Sequence, residues 1–527
     1  MNRVSVVSRA EPSHSNLTHS RGKPLIIFEL ANNHEGLTTH ANKIIDGLAE
    51  HKRPYESLFD FALKFQFRNL ETFIDPEADP GVNKHIARFR SNQLTEPQWA
   101  ELTEKSRANG FIVITTPFDE ASIDQAIRLG ITTLKIASCS AQEWSLIQTA
   151  ARAGRHLIVS TAGLSLDKID ALYSFLRHQC LGEFTILHCV GIYPAPLDSL
   201  NLATIRRFIQ RYPKARIGYS GHESPSEHRV STTALALGAE VFERHVGIAT
   251  SEISLNSYSL DLPDVADWLT EMSVTMQVLG HPKEPTYVNV DEMESLESLR
   301  RGVFAQIDIP ADREISPDLV CFRFPLRERQ ADVAEFTTIY NRFRSMRAIR
   351  AGDPISEANS HRLVDWRAQN LDRYVQRIRG IATEAHIDLA DEELLEISHH
   401  YGVEEIWNYG CCIVNVLNRS YCKKLILMAQ GQEHPEQFHK IKEETFRVLH
   451  GAVQVKLDGA PQDLTAGQLL VIMANTRHSF KAVSDAVIEE LSTTSSPEDS
   501  YYTDVRISAS PRSARKSLIP NFSPVKS

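Results

Sequence analysis

PQWAELTEKSRANGFIVITT, residues 97–116, joins a helix-patterned segment to a short β-branched run that ends in two threonines. The unit repeats in both directions. LIIFEL (25–30), FALKFQ (61–66), TLKIAS (133–138), HLIVST (156–161), FTILHC (184–189), RIGYSG (216–221) and EVFERH (240–245) are further strand-like runs. Helical segments such as SLDKIDALYSFLRHQ (165–179) lie between them. Short apolar runs alternating with amphipathic helices are the signature of βαβ units. Eight of them over residues 23–290 match the rhythm of a (β/α)8 TIM barrel, which is commonly about 250 residues long and carries its site at the carboxyl ends of the strands. A doubly wound sheet is the alternative.

Those carboxyl ends hold reactive groups where turn residues are the default. Strand one ends in Glu29; two carries Lys64 and Gln66; three ends in Thr115 and Thr116; four carries Lys135 and Ser138; five ends in Ser160 and Thr161. Strand six reaches His188 and then Tyr193, seven reaches Ser220 and His222, and eight carries Glu243 and His245. A lone buried His or Ser is ordinarily just a satisfied core group. Eight such endings at one barrel face point to chemistry. Lys64 and Lys135, with Thr116 and Ser138, supply point charges and hydroxyl donors for a phosphate and a carboxylate. His222 and His245 can chelate one divalent ion and leave positions open, and imidazole with oxygen ligands suits Mn, Fe, Co or Zn better than Ca. Glu29 and Glu243 either move protons or simply pair with the lysines.

The 527 residues exceed one domain of about 100 to 200 residues. Against 67 Asp+Glu stand 57 Lys+Arg, a formal charge of -10, so a nucleic-acid footprint is not expected and cations for an anionic substrate must be gathered locally. Seven scattered cysteines without a CxxC pair argue against a disulfide framework and make the cytoplasm the expected compartment. No run is long and apolar enough for a membrane span, and no membrane partner is expected. Polar residues 1–22 and the Ser/Pro/basic stretch 499–527 read as disordered tails. Residues 291–360 (LRRGVFAQIDIPADREISPDLVCFRFP, then MRAIRAGDPISEANSH) form a small separate module, 361–404 a charged helical linker, and 405–498 an antiparallel β-barrel.

The blocks ELANNHEG (29–36), LKFQ (63–66), TTPFDE (115–120), LKIAS (134–138), LHCVGIYPAP (187–196), GYSGHE (218–223) and ERHV (243–246) together resemble the sialic acid (N-acetylneuraminate) synthase family, legionaminate and pseudaminate relatives included. The resemblance implies a TIM barrel followed by an antifreeze-like SAF domain, and condensation of phosphoenolpyruvate with an open-chain aldose. It implies a nonulosonic or related 3-deoxy-ulosonic acid as product, with phosphate released by carbon–oxygen cleavage. It makes His222 and His245 ligands of a metal, usually Mn2+, and Lys64, Thr116, Lys135 and Ser138 the phosphoenolpyruvate contacts. Glu29, Glu243 and Tyr193 become catalytic candidates; Gln66, Tyr193 and Ser220 would line the sugar pocket. It further implies a homodimer in which the SAF domain reaches a partner's barrel, with Arg323 as the arginine touching the sugar.

Three departures fall near the sugar pocket. Gly191 stands where the family usually has Asn, Ser220-Gly221-His222 replaces SDH, and TSEISLNSYSLDLPD (250–264) replaces a GPD-containing loop. An acceptor other than N-acetylmannosamine is therefore expected. The C-terminal stretch GQEHPEQFHKIKEETFRVLHG (431–451), with GQLLVIMANTRH (467–478), resembles a cupin, and somewhat its D-lyxose isomerase branch. Gln437, His439, Glu444 and His478 would be its site, able to hold a second transition metal. The rival readings are a 3-deoxy-heptulosonate-phosphate-type synthase and a non-catalytic sugar sensor with a degenerate barrel.

Overall fold

The computed structural model describes residues 22–79, 83–280, 289–391 and 393–521. The expected N-terminal tail lies outside them except for its last residue. The chain divides into two compact units, up to and after residue 286.

In the first unit β1 (Leu25–Glu29), β2 (Asp60–Phe67), β3 (Ile112–Pro117), β4 (Thr133–Ile136), β5 (His156–Ser160), β6 (Phe184–Cys189), β7 (Arg216–Gly221) and β8 (Val241–His245) close a parallel barrel in sequence order. β1 pairs with both β2 and β8, so Glu29 stands opposite Lys64 on one side and His245 on the other. Side chains alternate across each strand. Outward residues such as Ile26, Phe28, Phe65 and Phe242 join the helix layer. The helix Thr38–Lys52 meets that layer with Ala41, Ile44, Ile45, Leu48 and Ala49, an apolar stripe of 3.6 period. Inward residues fill the barrel in tiers: Leu25, Ile27, Ala62, Ile114, Ile158, Leu187 and Val241 form an apolar plug. Two residues further along the strands, the same inward parity delivers Glu29, Lys64, Thr116, Ser160, Cys189 and Glu243. At Gly218 a Cβ would run into the Val241 carbonyl and the Leu187 side chain, so the plug needs glycine there.

The second unit opens with a small module. β9 (Gly302–Ala305) pairs with β10 (Val320–Arg323), and β11 (Asn341–Ser345) with β12 (Ser360–Val364), around Val303, Ile309, Leu319, Phe336, Phe343 and Ile355. A double sheet follows. Its strands are β13 (Leu394–Ser398), β14 (Cys411–Asn418), β15 (Tyr421–Met428), β16 (Glu433–Phe438), β17 (Glu444–His450), β18 (Ala452–Leu457), β19 (Ala460–Thr465), β20 (Leu469–Ile472), β21 (His478–Ala482), β22 (Ala486–Thr493), β23 (Tyr501–Tyr502) and β24 (Lys516–Pro520). They form a seven-stranded sheet, β20-β17-β22-β15-β14-β13-β24, and a five-stranded one, β19-β18-β21-β16-β23. Phe446, Val448, Val455, Phe480 and Ile488 fill the space between.

Two boundaries need correction. Residues 361–404 are not a linker: 361–364 complete β12, and 394–398 are β13. The helix Trp366–Glu384 buries Tyr374, Val375, Ile378 and Ile381 against the seven-stranded sheet. Its exposed charges are a solvated face with a core face behind it. The expected tail 499–527 is also ordered where it is described. β24 extends the sheet beside β13, and Lys516 and Arg512 pair with the buried Glu396. A half-buried edge strand needs few apolar residues when the sheet supplies its backbone partners, which is why composition alone reads it as a tail. Among the described residues no helix is long and apolar enough to cross a membrane.

Candidate functional site

The polar tier of the barrel is a connected cluster. The Lys64 ammonium pairs with the Glu29 carboxylate, lies 3.5 Å from Glu243 Oε1, and donates to Thr116 Oγ1 at 3.0 Å. Lys135 Nζ meets Glu243 Oε1 at 2.5 Å, and Ser220 Oγ donates to the same oxygen at 3.1 Å. Glu29 Oε1 also accepts from the Ala31 amide at 2.6 Å and from Gln66 at 3.4 Å. All four charged groups are buried. Burial pushes the Lys64 ammonium down, against the pull of Glu243, to about 7. Burial also pushes the Glu243 carboxyl up, but Lys135 and Lys64 outweigh it and hold it below the usual carboxylate range. The expectation that the carboxylates pair with the lysines is thus what the structure shows for both Glu29 and Glu243.

Beside this tier stand two imidazoles with ring centres 5.4 Å apart, His222 and His245. His222 Nδ1 lies 3.1 Å from the Val190 carbonyl, which fixes that nitrogen as the donor and leaves Nε2 its lone pair. His245 Nδ1 is buried without a hydrogen-bond partner among the described residues. Burial lowers both, His222 to about 4 and His245 well below its ordinary value, so both rings are neutral near pH 7. A neutral, lone-pair-bearing pair fits a divalent ion. Tyr193 lies over His222 with a centroid distance of 4.2 Å, and Tyr258 lies 5.1 Å from His245 and 5.3 Å from Tyr193.

Other expected positions resolve differently. Ser138 Oγ, at the head of a short 3-10 turn, accepts from the Ala162 amide at 3.0 Å and is half-buried near the tier. His188 is a correction: its parity on β6 turns it outward, where Nε2 meets the Leu200 carbonyl at 2.6 Å, while the next residue, Cys189, faces in and lies 3.9 Å from His222 Nδ1. Thr115 and Thr161 bond to backbone carbonyls, as structural groups do. Arg323, in the second unit, is exposed near the Phe304 ring, 5.8 Å away.

The sequence reading missed Tyr258, Arg68 and the pair behind the imidazoles. Arg68 lies over Phe118 at 3.7 Å and Phe89 at 4.2 Å and donates to Gln66 Oε1 at 2.8 Å. Glu223, next to His222, pairs with Arg244, next to His245, at 2.7 Å, and both side chains are wholly buried. Tyr219 donates to Glu223 at 2.8 Å. This pair accounts for Gly221: a Cβ there would lie 2.8 Å from Glu223 Oε1 and 2.8 Å from the Tyr219 ring. A side chain at 221 would have to displace the Glu223 carboxylate from its place beside Arg244 and Tyr219.

In the second unit His439, Glu444 and His478 present ligand atoms within 4.8 Å of one another, the one such group of three or more among the described residues. Register places Gln437 opposite His478, with 3.4 Å between its Nε2 and the imidazole Nε2. His439 Nδ1 is held by the Asp499 carbonyl at 2.5 Å, and the Asp499 carboxylate accepts from the amides of Lys440, Ile441 and Lys442. The Lys442 ammonium pairs with Glu444 and, at 3.0 Å, with Glu490. Burial acts to raise Glu444, but the imidazoles and Lys442 hold it well below its ordinary value.

A closed eight-stranded barrel with lysines, carboxylates and paired imidazoles at its carboxyl face, followed by an all-β double sheet with a His/Glu cluster, defines a TIM-barrel enzyme joined to a cupin. The NeuB family matches residues 60–284 and the Cupin domain residues 424–493. The chain is 39% identical to a candidate spore coat polysaccharide biosynthesis protein E from Chromobacterium violaceum, whose crystal structure it covers completely with 64% of its own length at a TM-score of 0.61. It is 31% identical to the N,N'-diacetyllegionaminic acid synthase of Campylobacter jejuni, over 42% of this chain and 67% of that one. It is 27% identical to the mouse N-acetylneuraminate-9-phosphate synthase, over 56% of this chain and 81% of that one. The chain belongs to the NeuB family, and carries a cupin domain beyond the family's barrel.

Proposed function

We propose that the barrel condenses phosphoenolpyruvate with an open-chain N-acyl or deoxy aldose to give a nonulosonic or related 3-deoxy-ulosonic acid. The observation that carries the reading is the buried tier in which Lys64, Lys135 and Thr116 converge beside the His222–His245 pair. Lys64, Thr116, Lys135 and Ser138 would hold the phosphate and carboxylate of phosphoenolpyruvate, exchanging contacts with Glu29 and Glu243 for contacts with substrate. The methylene carbon of phosphoenolpyruvate bonds to the carbonyl carbon, whose oxygen takes up a proton. Water adds at the neighbouring carbon that bears the phosphate oxygen and loses its protons as that carbon becomes the product ketone, and phosphate leaves with its bridging oxygen. Glu29 and Glu243, paired with the two lysines, would orient that water and carry those protons. Gln66, Tyr193 and Ser220 would line the acceptor pocket. The two lysines and two carboxylates sum to zero formal charge, so a trianionic substrate needs further positive charge. A divalent ion held by His222 and His245, Mn2+ by family resemblance, would supply it and polarise the acceptor carbonyl.

The test is a screen of N-acyl and deoxy aldoses, plain and phosphorylated, for phosphate release from phosphoenolpyruvate. Lys64→Ala and Lys135→Ala should each raise KM for phosphoenolpyruvate by about tenfold to a hundredfold, since a charge-assisted contact contributes about 1.5 to 3 kcal/mol. No turnover with any acceptor, or a KM effect confined to the sugar, contradicts the reading.

The 291–360 module is proposed as an SAF domain that completes a partner's acceptor pocket in a homodimer, with Arg323 reaching the sugar. Light scattering should then report an even oligomer, and Arg323→Ala should raise KM for the sugar; an active monomer refutes both. For the cupin, we propose a second transition ion on Gln437, His439, Glu444 and His478. Gln437 is a neutral ligand and Lys442 competes for Glu444, so occupancy should be partial. Metal analysis of the full chain should show less bound metal in the His439→Ala, His478→Ala variant, with phosphate release retained; equal metal content means the site does not exist.

A further inference from the structure

A cavity of about 680 Å3 opens in the second unit, lined by His400, Tyr401, Glu405, Tyr409, Arg506 and Arg515 among others. None of the four cupin ligand candidates lines it. One wall is built by the C-terminal segment, which contributes Arg506 and Arg515. The volume is that of a site for a ligand of sugar size. Most of its lining side chains are polar or aromatic, which favours a polar guest.

The groups converge by charge. Arg515 lies over the Tyr502 ring at 4.9 Å, and its Nε donates to the Ser510 carbonyl at 3.3 Å; no carboxylate of the described residues pairs with it. His400 is only 4% exposed. Its Nε2 lies 3.0 Å from the Tyr502 hydroxyl, while its Nδ1 is buried without a partner among the described residues. When the Tyr502 hydroxyl donates to Nε2, the ring proton sits on Nδ1, a donor left without a partner in a ring that lines the cavity. A buried donor left unmade is costly, so a ligand oxygen there would gain from pairing with it. The same cavity is lined by the Tyr401 and Tyr409 rings, 5.0 Å apart and nearly perpendicular, and by Glu405, whose carboxylate accepts from Asn408 at 3.0 Å. Aromatic faces take the apolar face of a sugar, and a carboxylate accepts from hydroxyls.

We infer that this cavity binds a sugar-sized polyol carrying one oxyanion, with the anion at Arg515 and His400 and the hydroxyls toward Tyr401, Tyr409 and Glu405. Carboxylate and phosphate share that chemistry. The site is independent of the barrel's reaction and would make the cupin unit a receptor for an acidic sugar.

The test is calorimetry on the full chain with three probes: N-acetylneuraminate for the carboxylate, N-acetylmannosamine 6-phosphate for the phosphate, and N-acetylmannosamine for the uncharged control. At least one anionic probe is expected to bind with an affinity that falls by about tenfold or more in the Arg506→Gln, Arg515→Gln double variant. The neutral probe should bind alike to both proteins, and phosphate release by the barrel should be unchanged. Which anionic probe responds identifies the oxyanion. Arg515→Lys, which keeps the charge but loses the planar fork, serves if the double variant fails to fold, with a smaller loss in the same direction. Anionic probes that bind neither protein, or bind wild type and variant equally, overturn the assignment.

Discussion

Replacing His222 and His245 together with alanine is expected to lower phosphate release from phosphoenolpyruvate by about a thousandfold or more. The barrel's own charges explain the size. Lys64 and Lys135 are matched by Glu29 and Glu243 inside one buried cluster, so side chains alone leave little net charge to draw an aldehyde oxygen's electrons toward it. A divalent ion held at the imidazole pair would contribute several kcal/mol of charge stabilisation, and about 1.4 kcal/mol corresponds to each factor of ten. The imidazoles are suited to that proposed role. His222 Nδ1 is held at the Val190 carbonyl, and burial keeps its pKa near 4, so protons compete with a metal only as the pH falls toward that value. Chelation of the wild type should abolish activity and Mn2+ restore it, while the double variant should show no rescue. A double variant as active as wild type in chelator would remove the metal from the reaction.

Much of this architecture can be read without coordinates. The alternation of PQWAELTEKSRANG with FIVITT and its repeats yields eight strands because period-2 runs and turn residues are local signals. The reactive endings are legible for the same reason, and Glu29, Lys64, Thr116, Lys135, Ser220, Glu243 and His245 all arrive in or beside one tier. Parity is less forgiving, because one residue along a strand moves a side chain to the opposite face. His188 shows this: it turns into the helix layer while Cys189 faces the site. Tyr258 sits in a loop without the family pattern, so only its packing against His245 reveals it. The helix 366–384 carries a periodic buried face at Tyr374, Val375, Ile378 and Ile381 that its many charges mask. β24 was beyond composition, since its order comes from pairing with β13, far away in sequence.

Arg244→Met is expected to destabilise the barrel unit by about 3 to 5 kcal/mol, because it strands the wholly buried Glu223 carboxylate without its counterion. The guanidinium also donates to the Glu223 carbonyl at 3.0 Å, so the backbone that carries His222 loses a second tie. Since Arg244 precedes His245 and Glu223 follows His222, the pair acts as a brace between the two imidazole-bearing strand ends, and its loss should loosen metal affinity as well as stability. Glu223→Gln in the same background removes the orphaned charge while keeping the shape that Tyr219 and Gly221 pack against. The double variant should therefore be more stable than Arg244→Met alone, with a coupling of opposite sign to the single losses. Urea unfolding of the four proteins measures the cycle, and the metal concentration giving half-maximal activity measures the brace. Additive losses would show that the two residues do not act as a pair. A stable Arg244→Met protein with unchanged metal dependence would show that the imidazoles are held by the strand register alone.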